Sequence, residues 1–134
     1  MKRSLLALPL LAAFLMSLGC EKKPGEAKPI DVQETYGMIL NDFAVLVDVR
    51  EEAATREGVA SQARTLPLSK IRSKDPAWTE FVKSVPSGKQ AVFYGAGDED
   101  SREAAAAGAR DGLNARSMGA YSGWTKAGLP TRKP

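Results

Sequence analysis

Residues 91–101 place an apolar run, a glycine-rich break and the start of an alanine-rich run directly after one another. Residues 91–94 are apolar and β-prone, which predicts a buried strand. Gly95 and Gly97 break that strand, and three acidic residues then precede the run 104–107, which predicts a helix. A strand that turns through glycine into a helix directs backbone N–H groups at one spot and favours an anion there. This order restricts the chain to folds in which strands and helices alternate.

The segment before residue 50 predicts a helix followed by a strand. Asp31 suits a helix N-cap, and Glu34 stands where a capping box has its acid. The apolar residues that share one helical face are Val32, Tyr36, Ile39 and Leu40. Residues 44–47 form a continuous apolar run, which is typical of a strand buried on both faces of a parallel sheet.

The rest of the chain continues this alternation. The other short elements predicted are helices over residues 51–57, 101–111 and 121–127, and strands over residues 63–66 and 115–118. Residues 69–74 are predicted to be polar linking sequence. Asp75 and Pro76 predict an N-cap and a first-turn proline, and the following Trp78 and Phe81 indicate core packing at helical spacing. We therefore predict an α/β domain with a mainly parallel central sheet flanked by helices.

The first twenty residues are typical of a targeting segment. Two basic residues precede an apolar run over residues 5–18, which is shorter than the roughly 20 residues of a membrane-spanning helix. Residues 15–20, Leu-Met-Ser-Leu-Gly-Cys, resemble the lipobox of bacterial lipoproteins. The resemblance implies cleavage after Gly19 and a lipid on Cys20. The alternative is an ordinary signal peptide that is cleaved nearby and leaves Cys20 as a free thiol.

These features divide the chain into three expected segments. Residues 1–19 are a lipoprotein signal peptide, residues 20–29 are the lipidated cysteine and a flexible tether, and residues 30–134 are the folded domain. The tether is charged, contains proline and glycine, and has no large apolar residue. Through its lipid the chain is expected to be held at a membrane in the cell envelope, facing the periplasm or the exterior.

Composition excludes several kinds of chemistry. Cys20 is the only cysteine and the chain has no histidine, which excludes an intramolecular disulfide, imidazole catalysis and a metal site of cysteine or histidine ligands. Without Lys2 and Arg3, the 19 basic residues fall to 17 against 16 acidic residues. Because this balance is nearly neutral, we expect no nucleic-acid partner.

Four separated segments resemble rhodanese-like domains. They are Asp-Val-Arg-Glu at residues 48–51, the segment 58–67, the strand, break and helix of residues 92–102, and the closing segment 119–130 with its Trp and Ala-Gly-Leu-Pro. The segments occur in the family's order and extend over residues 30–130. The resemblance implies a single rhodanese-like domain.

The departures from the family concern its activity. Active members carry a persulfide on a cysteine, and the position of that cysteine corresponds to Gly95. Asp100 stands nearest to the position of the family's loop arginine, and Val59 stands where the family has histidine. Sulfur transfer needs a soft nucleophile that can both attack and leave. The resemblance therefore implies the fold without the activity, and we assign no catalytic residue, cofactor or metal ligand.

The first functional hypothesis is a non-catalytic binding or regulatory module with an unknown protein or small-molecule partner. Its candidate surface is the degenerate active-site loop, which comprises Gly95, Ala96, Gly97, Asp98, Glu99, Asp100 and Ser101. A simpler interpretation is that the three acids only stabilise the start of a helix. Ser101 is expected to cap that helix rather than to act as a nucleophile.

Two alternatives remain beside this hypothesis. One is a sulfurtransferase-class protein of reduced or altered activity, which would borrow a thiol from its partner or substrate. The other is a cation site made by Asp98, Glu99, Asp100 and Ser101, since hard cations take oxygen ligands. Asp48 and Arg50 are expected to form a structural ion pair at a strand end rather than a functional one.

Overall fold

The computed structural model describes residues 27–134. The expected signal peptide, the lipidation site Cys20 and the first part of the tether lie outside this range. The strands are Lys28–Pro29 (β1), Ala44–Asp48 (β2), Val59–Ala60 (β3), Arg64–Thr65 (β4), Gln90–Gly95 (β5), Asn114–Ala120 (β6) and Thr131–Arg132 (β7). The helices are Val32–Leu40 (α1), Glu52–Thr55 (α2), Leu68–Arg72 (α3), Pro76–Ser84 (α4), Asp98–Arg110 (α5) and Tyr121–Lys126 (α6).

The central sheet has five parallel strands in the order β1-β6-β5-β2-β4. A separate pair, β3 and β7, is antiparallel. Ala44, Gln90 and Asn114 lie side by side in the register and mark the amino end of the sheet. The α/β class and the mainly parallel sheet flanked by helices are thus confirmed.

Hydrophobic side chains cover both faces of this sheet. On one face, Trp78 and Phe81 of α4 pack with Phe93 of β5, with ring centroids 5.8–6.3 Å apart. On the other face, Trp124 of α6 meets Tyr36 of α1 edge to face at 5.8 Å. Because both faces of the sheet are buried, the sequences of the central strands are continuous apolar runs rather than alternating polar and apolar residues.

The two predicted helix starts before α1 and α4 are confirmed. The Asp31 carboxylate accepts from the backbone N–H of Gln33 and Glu34. The Asp75 carboxylate accepts from the N–H of Ala77, and proline occupies the first position of α4. Each bond satisfies backbone N–H groups that a helix leaves without internal partners.

The structure corrects several expectations about individual elements. Lys28 and Pro29 form the edge strand β1 rather than part of the tether, a position that tolerates the missing N–H of proline. The expected linking sequence 69–74 largely belongs to α3, because Leu68 and Ile71 are buried and the polar residues between them face outward. Leu40 was expected to pack but is 60% exposed. Among residues 27–134, no helix is long and apolar enough to cross a membrane.

Candidate functional site

Helix α5 begins almost directly after β5. Gly95 is the last residue of β5, Ala96 and Gly97 form the link, and the helix starts at Asp98 rather than at Ser101 as expected. The expected seven-residue loop is therefore reduced to a two-residue link, with a strand residue before it and the first helical turn after it. Gly97 occupies the N-cap and supplies no side-chain bond to the helix. The acids of the first turn compensate for this, since negative charge stabilises a helix N-terminus.

Gly95 is buried, and neighbouring residues pack closely against it. A Cβ atom added there would lie 2.9 Å from Cβ of Asp100, 3.3 Å from the backbone N of Ser101 and 3.4 Å from a methyl group of Val49. The nearest of these contacts is closer than well-packed carbon atoms approach. Gly95 therefore has no room for a side chain unless the first turn of α5 moves.

Ser101 is fully buried and holds α5 to the sheet. Its hydroxyl donates to the carbonyl oxygen of Phe93 at 2.8 Å, and its oxygen accepts from the backbone N–H of Gly119 at 2.9 Å. The Ser117 hydroxyl oxygen lies 2.8 Å from the Ser101 hydroxyl oxygen, and the two hydroxyl groups are hydrogen-bonded to each other. Since the single Ser101 proton is committed to Phe93, the Ser117 hydroxyl is the donor in that last bond. Ser101 thus neither caps α5 nor offers a hydroxyl to solvent.

The exposed part of the candidate site is the acidic turn, defined as Asp98, Glu99 and Asp100. Asp98 and Glu99 are exposed, whereas Asp100 is half-buried over Gly95. The Asp98 carboxylate lies so close to Gly119 that a Cβ there would be 2.6 Å from Oδ1. Gly119 also has a φ of +99°, a conformation that favours glycine. The acidic turn therefore packs against the end of β6 through Asp98.

A cleft of about 420 Å³ opens beside the acidic turn. Ile30 and Met118 form its apolar floor, and Asp98 and Arg102 bring opposite charges to it. A concave site with an apolar floor and a few polar groups is the usual form of a ligand pocket. Arg102 and Met118 were not predicted as site residues. They come together only because α5 packs against the sheet beside the ends of β1 and β6.

Asp48 and Arg50 form a buried ion pair at the end of β2. Arg50 Nη2 lies 2.7 Å from Asp48 Oδ2 and also donates to the carbonyl oxygen of Gly58 at 2.7 Å. The guanidinium stacks 3.8 Å from the ring centroid of Tyr121. The pair thus joins the end of β2 to the backbone at Gly58 and to the ring of Tyr121.

Tyr94 completes this buried group without being available for acid–base chemistry. Its ring stacks on Tyr121 at 5.6 Å, and its hydroxyl accepts from the N–H of Ala60 at 3.1 Å. Burial raises the pKa of Tyr94 far above its ordinary value, and the neighbouring Asp48 charge raises it further. The hydroxyl therefore stays neutral at physiological pH.

A metal site is not supported in the described part of the chain. Within residues 27–134, no three acidic side chains converge as metal ligands do. Of the four residues in the cation hypothesis, Ser101 points into the core and Asp100 is half-buried. Calcium takes about six to eight oxygen ligands, to which several side chains and carbonyl groups must contribute. The geometry thus gives no support to the cation hypothesis.

Comparison with solved structures identifies the fold as rhodanese-like. A rhodanese-related protein from Thermoplasma volcanium superposes with a TM-score of 0.65 and 23% identity, over 80% of this chain and 99% of that one. A rhodanese-like domain from Anabaena sp. gives a TM-score of 0.63 at 19% identity, over 84% of this chain and 81% of that one. No family model and no curated protein matches the sequence.

Proposed function

We propose that this chain, which has the rhodanese-like fold, is a lipid-anchored extracytoplasmic binding or regulatory module that does not itself transfer sulfur. One observation carries the proposal: Asp100 and Ser101 pack against Gly95, the residue that the sequence resemblance aligns with the cysteine of active members. A bound persulfide would need the same space. The acidic turn therefore replaces a reactive centre with a packed, negatively charged surface.

The chemistry of the domain supports the same proposal. Sulfur transfer needs a thiolate or an equally soft group, and residues 27–134 contain neither cysteine nor histidine. Ser101, the one serine of residues 95–101, is engaged in three buried hydrogen bonds. A serine nucleophile would also need a general base beside it. What the site retains is exposed charge and a cleft, both of which suit binding.

We place the partner surface at the acidic turn and the adjoining cleft. Asp98 and Glu99 present carboxylates to solvent, and Arg102 lies one helical turn further on. An approaching anion such as thiosulfate would be repelled by the turn, whereas a cationic group would be attracted. The partner class that fits best is a protein segment or small molecule with a positive group and an apolar portion.

The lipid anchor is the second part of the proposal. The short apolar leader ending in Gly19-Cys20 supports it, and a lipid is consistent with the presence of a single cysteine at that point. Replacing Cys20 by Ala should abolish fatty-acid labelling and release the protein from membranes. If the Cys20→Ala protein stays membrane-bound like the parent, the anchor is refuted.

A pull-down from the native envelope tests the partner surface. The lipidated protein is compared with an Asp98→Asn/Glu99→Gln variant, which removes two exposed charges without disturbing the buried Gly95. The matched control is Glu80→Gln, an exposed acid on α4 away from the turn. We expect a partner that is retained by the parent and the control and lost from the double variant. Equal recovery by all three proteins would place the partner elsewhere or argue against the module.

A further inference from the structure

Helices α3, α4 and α5 pack on one face of the sheet and leave a groove between them. The groove consists of two clefts, of about 490 Å³ and 260 Å³, that share Lys74, Trp78 and Asp111 as lining residues. Ala107 and Val82 add apolar wall to the larger and the smaller cleft, respectively. We call this surface the basic groove, and its charged side chains are Arg72, Lys74, Lys83, Glu103, Arg110 and Asp111.

Positive charge exceeds negative charge in the basic groove. Four of its charged side chains are basic and two are acidic, and both acids already have partners. Glu103 accepts hydrogen bonds from the Arg72 guanidinium at 2.7 and 2.9 Å. Asp111 accepts one from Trp78 Nε1 at 2.7 Å. Three exposed cations of the groove take part in no ion pair within residues 27–134: Lys74, Lys83 and Arg110.

The ends of three helices supply these cations. Lys83 lies in the last turn of α4 and Arg110 in the last turn of α5, and Lys74 follows the C-cap residue of α3. Positive charge is favourable at the carboxyl end of a helix. That effect accounts for a basic residue at each end separately. The packing of the three helices is what brings the three charges to one groove.

Lys74 keeps its side chain in the groove at a conformational cost. Its φ is +51°, in the left-handed region, and its backbone N–H donates to the carbonyl oxygen of Ile71 at 3.2 Å. Glycine is the usual residue at this position after a helix, because a Cβ atom disfavours the left-handed conformation. A lysine here gives up stability that glycine would provide. The retained side chain therefore favours a role for Lys74 in binding.

We propose that the basic groove binds an acidic segment of a partner protein. Its cations are spread along the groove rather than converging on one point. Lys83 stands five residues after Trp78, which is about 7.5 Å along the axis of α4, while Arg110 approaches from α5. A single small anion would reach only part of this set. An extended segment with several carboxylates can reach all of it and can pack an apolar side chain against Val82.

The shape and charge of the groove both favour this occupant. Complementary charge steers a partner to such a surface and fixes its register. A concave groove admits a protein segment, whereas the flat surface of a bilayer would meet only its rim. The basic groove is distinct from the acidic turn, and the inference does not depend on the function proposed for that turn.

Fluorescence anisotropy with a labelled peptide tests the inference. The probe is a fluorescein-labelled hexapeptide of alternating glutamate and leucine, and the comparison peptide has glutamine in place of glutamate. Each is titrated at low salt with the full-length lipidated protein in neutral detergent. We expect saturable binding of the glutamate peptide, roughly tenfold tighter than that of the glutamine peptide. Added salt should weaken the binding, because the charges are exposed.

Two variants place the binding in the groove. Lys74→Gly should keep or raise Tm, since glycine accepts the left-handed conformation, and should still weaken binding of the glutamate peptide by about two- to fivefold. Lys74→Gly/Arg110→Gln should weaken it further. The matched control, Lys126→Gln/Lys133→Gln, removes two exposed positive charges outside the groove and should bind like the parent. Thermal unfolding of each protein shows that it is folded, and the single variant alone decides the matter if the double variant is not.

Several results would overturn the inference. They are the absence of saturable binding, equal binding of the two peptides, and unchanged affinity in the folded Lys74 variants. Phosphatidylglycerol in the micelles that displaces the probe at a lower concentration than unlabelled peptide does would assign the groove to a lipid surface. Self-association of the protein that Asp98→Asn/Glu99→Gln abolishes would assign it to a second copy of this chain.

Discussion

The packing at Gly95 leads to a prediction that a catalytic thiol cannot be restored by one substitution. Gly95→Cys places Cβ 2.9 Å from Cβ of Asp100, an atom fixed to the helix backbone rather than the free end of a side chain. Either the end of β5 or the first turn of α5 must move. Overpacking of this kind costs about 1–3 kcal/mol. With a Tm change of about 4–8 °C per kcal/mol for a domain of this size, we expect Tm to fall by roughly 10 °C.

A double-mutant cycle isolates the contact that causes this loss. Asp100→Gly removes the opposing Cβ, so Gly95→Cys should cost clearly less free energy of unfolding in the Asp100→Gly background than in the parent. Ala96→Cys is the matched control, since it adds a thiol at the adjacent exposed position and should change the free energy of unfolding by less than about 0.5 kcal/mol. Denaturant unfolding measures the free energy of unfolding of all five proteins: the parent, the two single variants, the double variant and the control. An equal cost in both backgrounds, or no cost in the parent, would refute the packing argument.

Three further predictions concern the residues around the site and use the free energy of unfolding as the measurement. Ser101→Ala should destabilise the domain by about 2–3 kcal/mol, because the backbone N–H that it satisfies is left buried without an acceptor; a loss below about 0.5 kcal/mol would contradict the buried role. Arg50→Leu should cost about 3–5 kcal/mol, because Asp48 would remain charged and fully buried, and an unchanged midpoint in urea would argue against that ion pair. The hydrogen bond from Arg72 lowers the pKa of Glu103, so the stability from this pair is present above the ordinary glutamate pKa and is lost as pH falls through the lowered value. Arg72→Gln should therefore destabilise near neutral pH and match the parent in strong acid, and a deficit that persists in acid would show that charge is not its cause.

The larger elements could be predicted because local and tertiary signals agree in them. Residues 44–47 and 91–94 are uniformly apolar, and both became strands buried on two faces. Asp75 and Pro76 also marked the start of α4, because a cap and a first-turn proline act within one helical turn. The short elements had no comparable signal. Lys28–Pro29 is a strand only because β6 offers it a partner.

The start of α5 was misplaced because glycine is ambiguous in sequence. Gly97 and the following acids read as a loop, yet Gly97 serves as the N-cap and the acids form the first helical turn. The burial of Ser101 depends on Phe93, Ser117 and Gly119, which lie on two strands that are distant in sequence. Residue types therefore indicated a candidate site, whereas the burial and packing of its residues follow from tertiary contacts.

The central claim concerns sulfur transfer, and a direct assay of that reaction tests it. Purified protein is incubated with thiosulfate and cyanide, thiocyanate formation is followed beside an active sulfurtransferase, and mass spectrometry looks for an added sulfur atom on the protein. The account predicts thiocyanate at the level of buffer and no sulfur adduct on the domain, because Gly95 carries no side chain and Ser101 is buried. Saturable thiocyanate formation that follows the protein through purification, together with a sulfur adduct on residues 27–134, would contradict it.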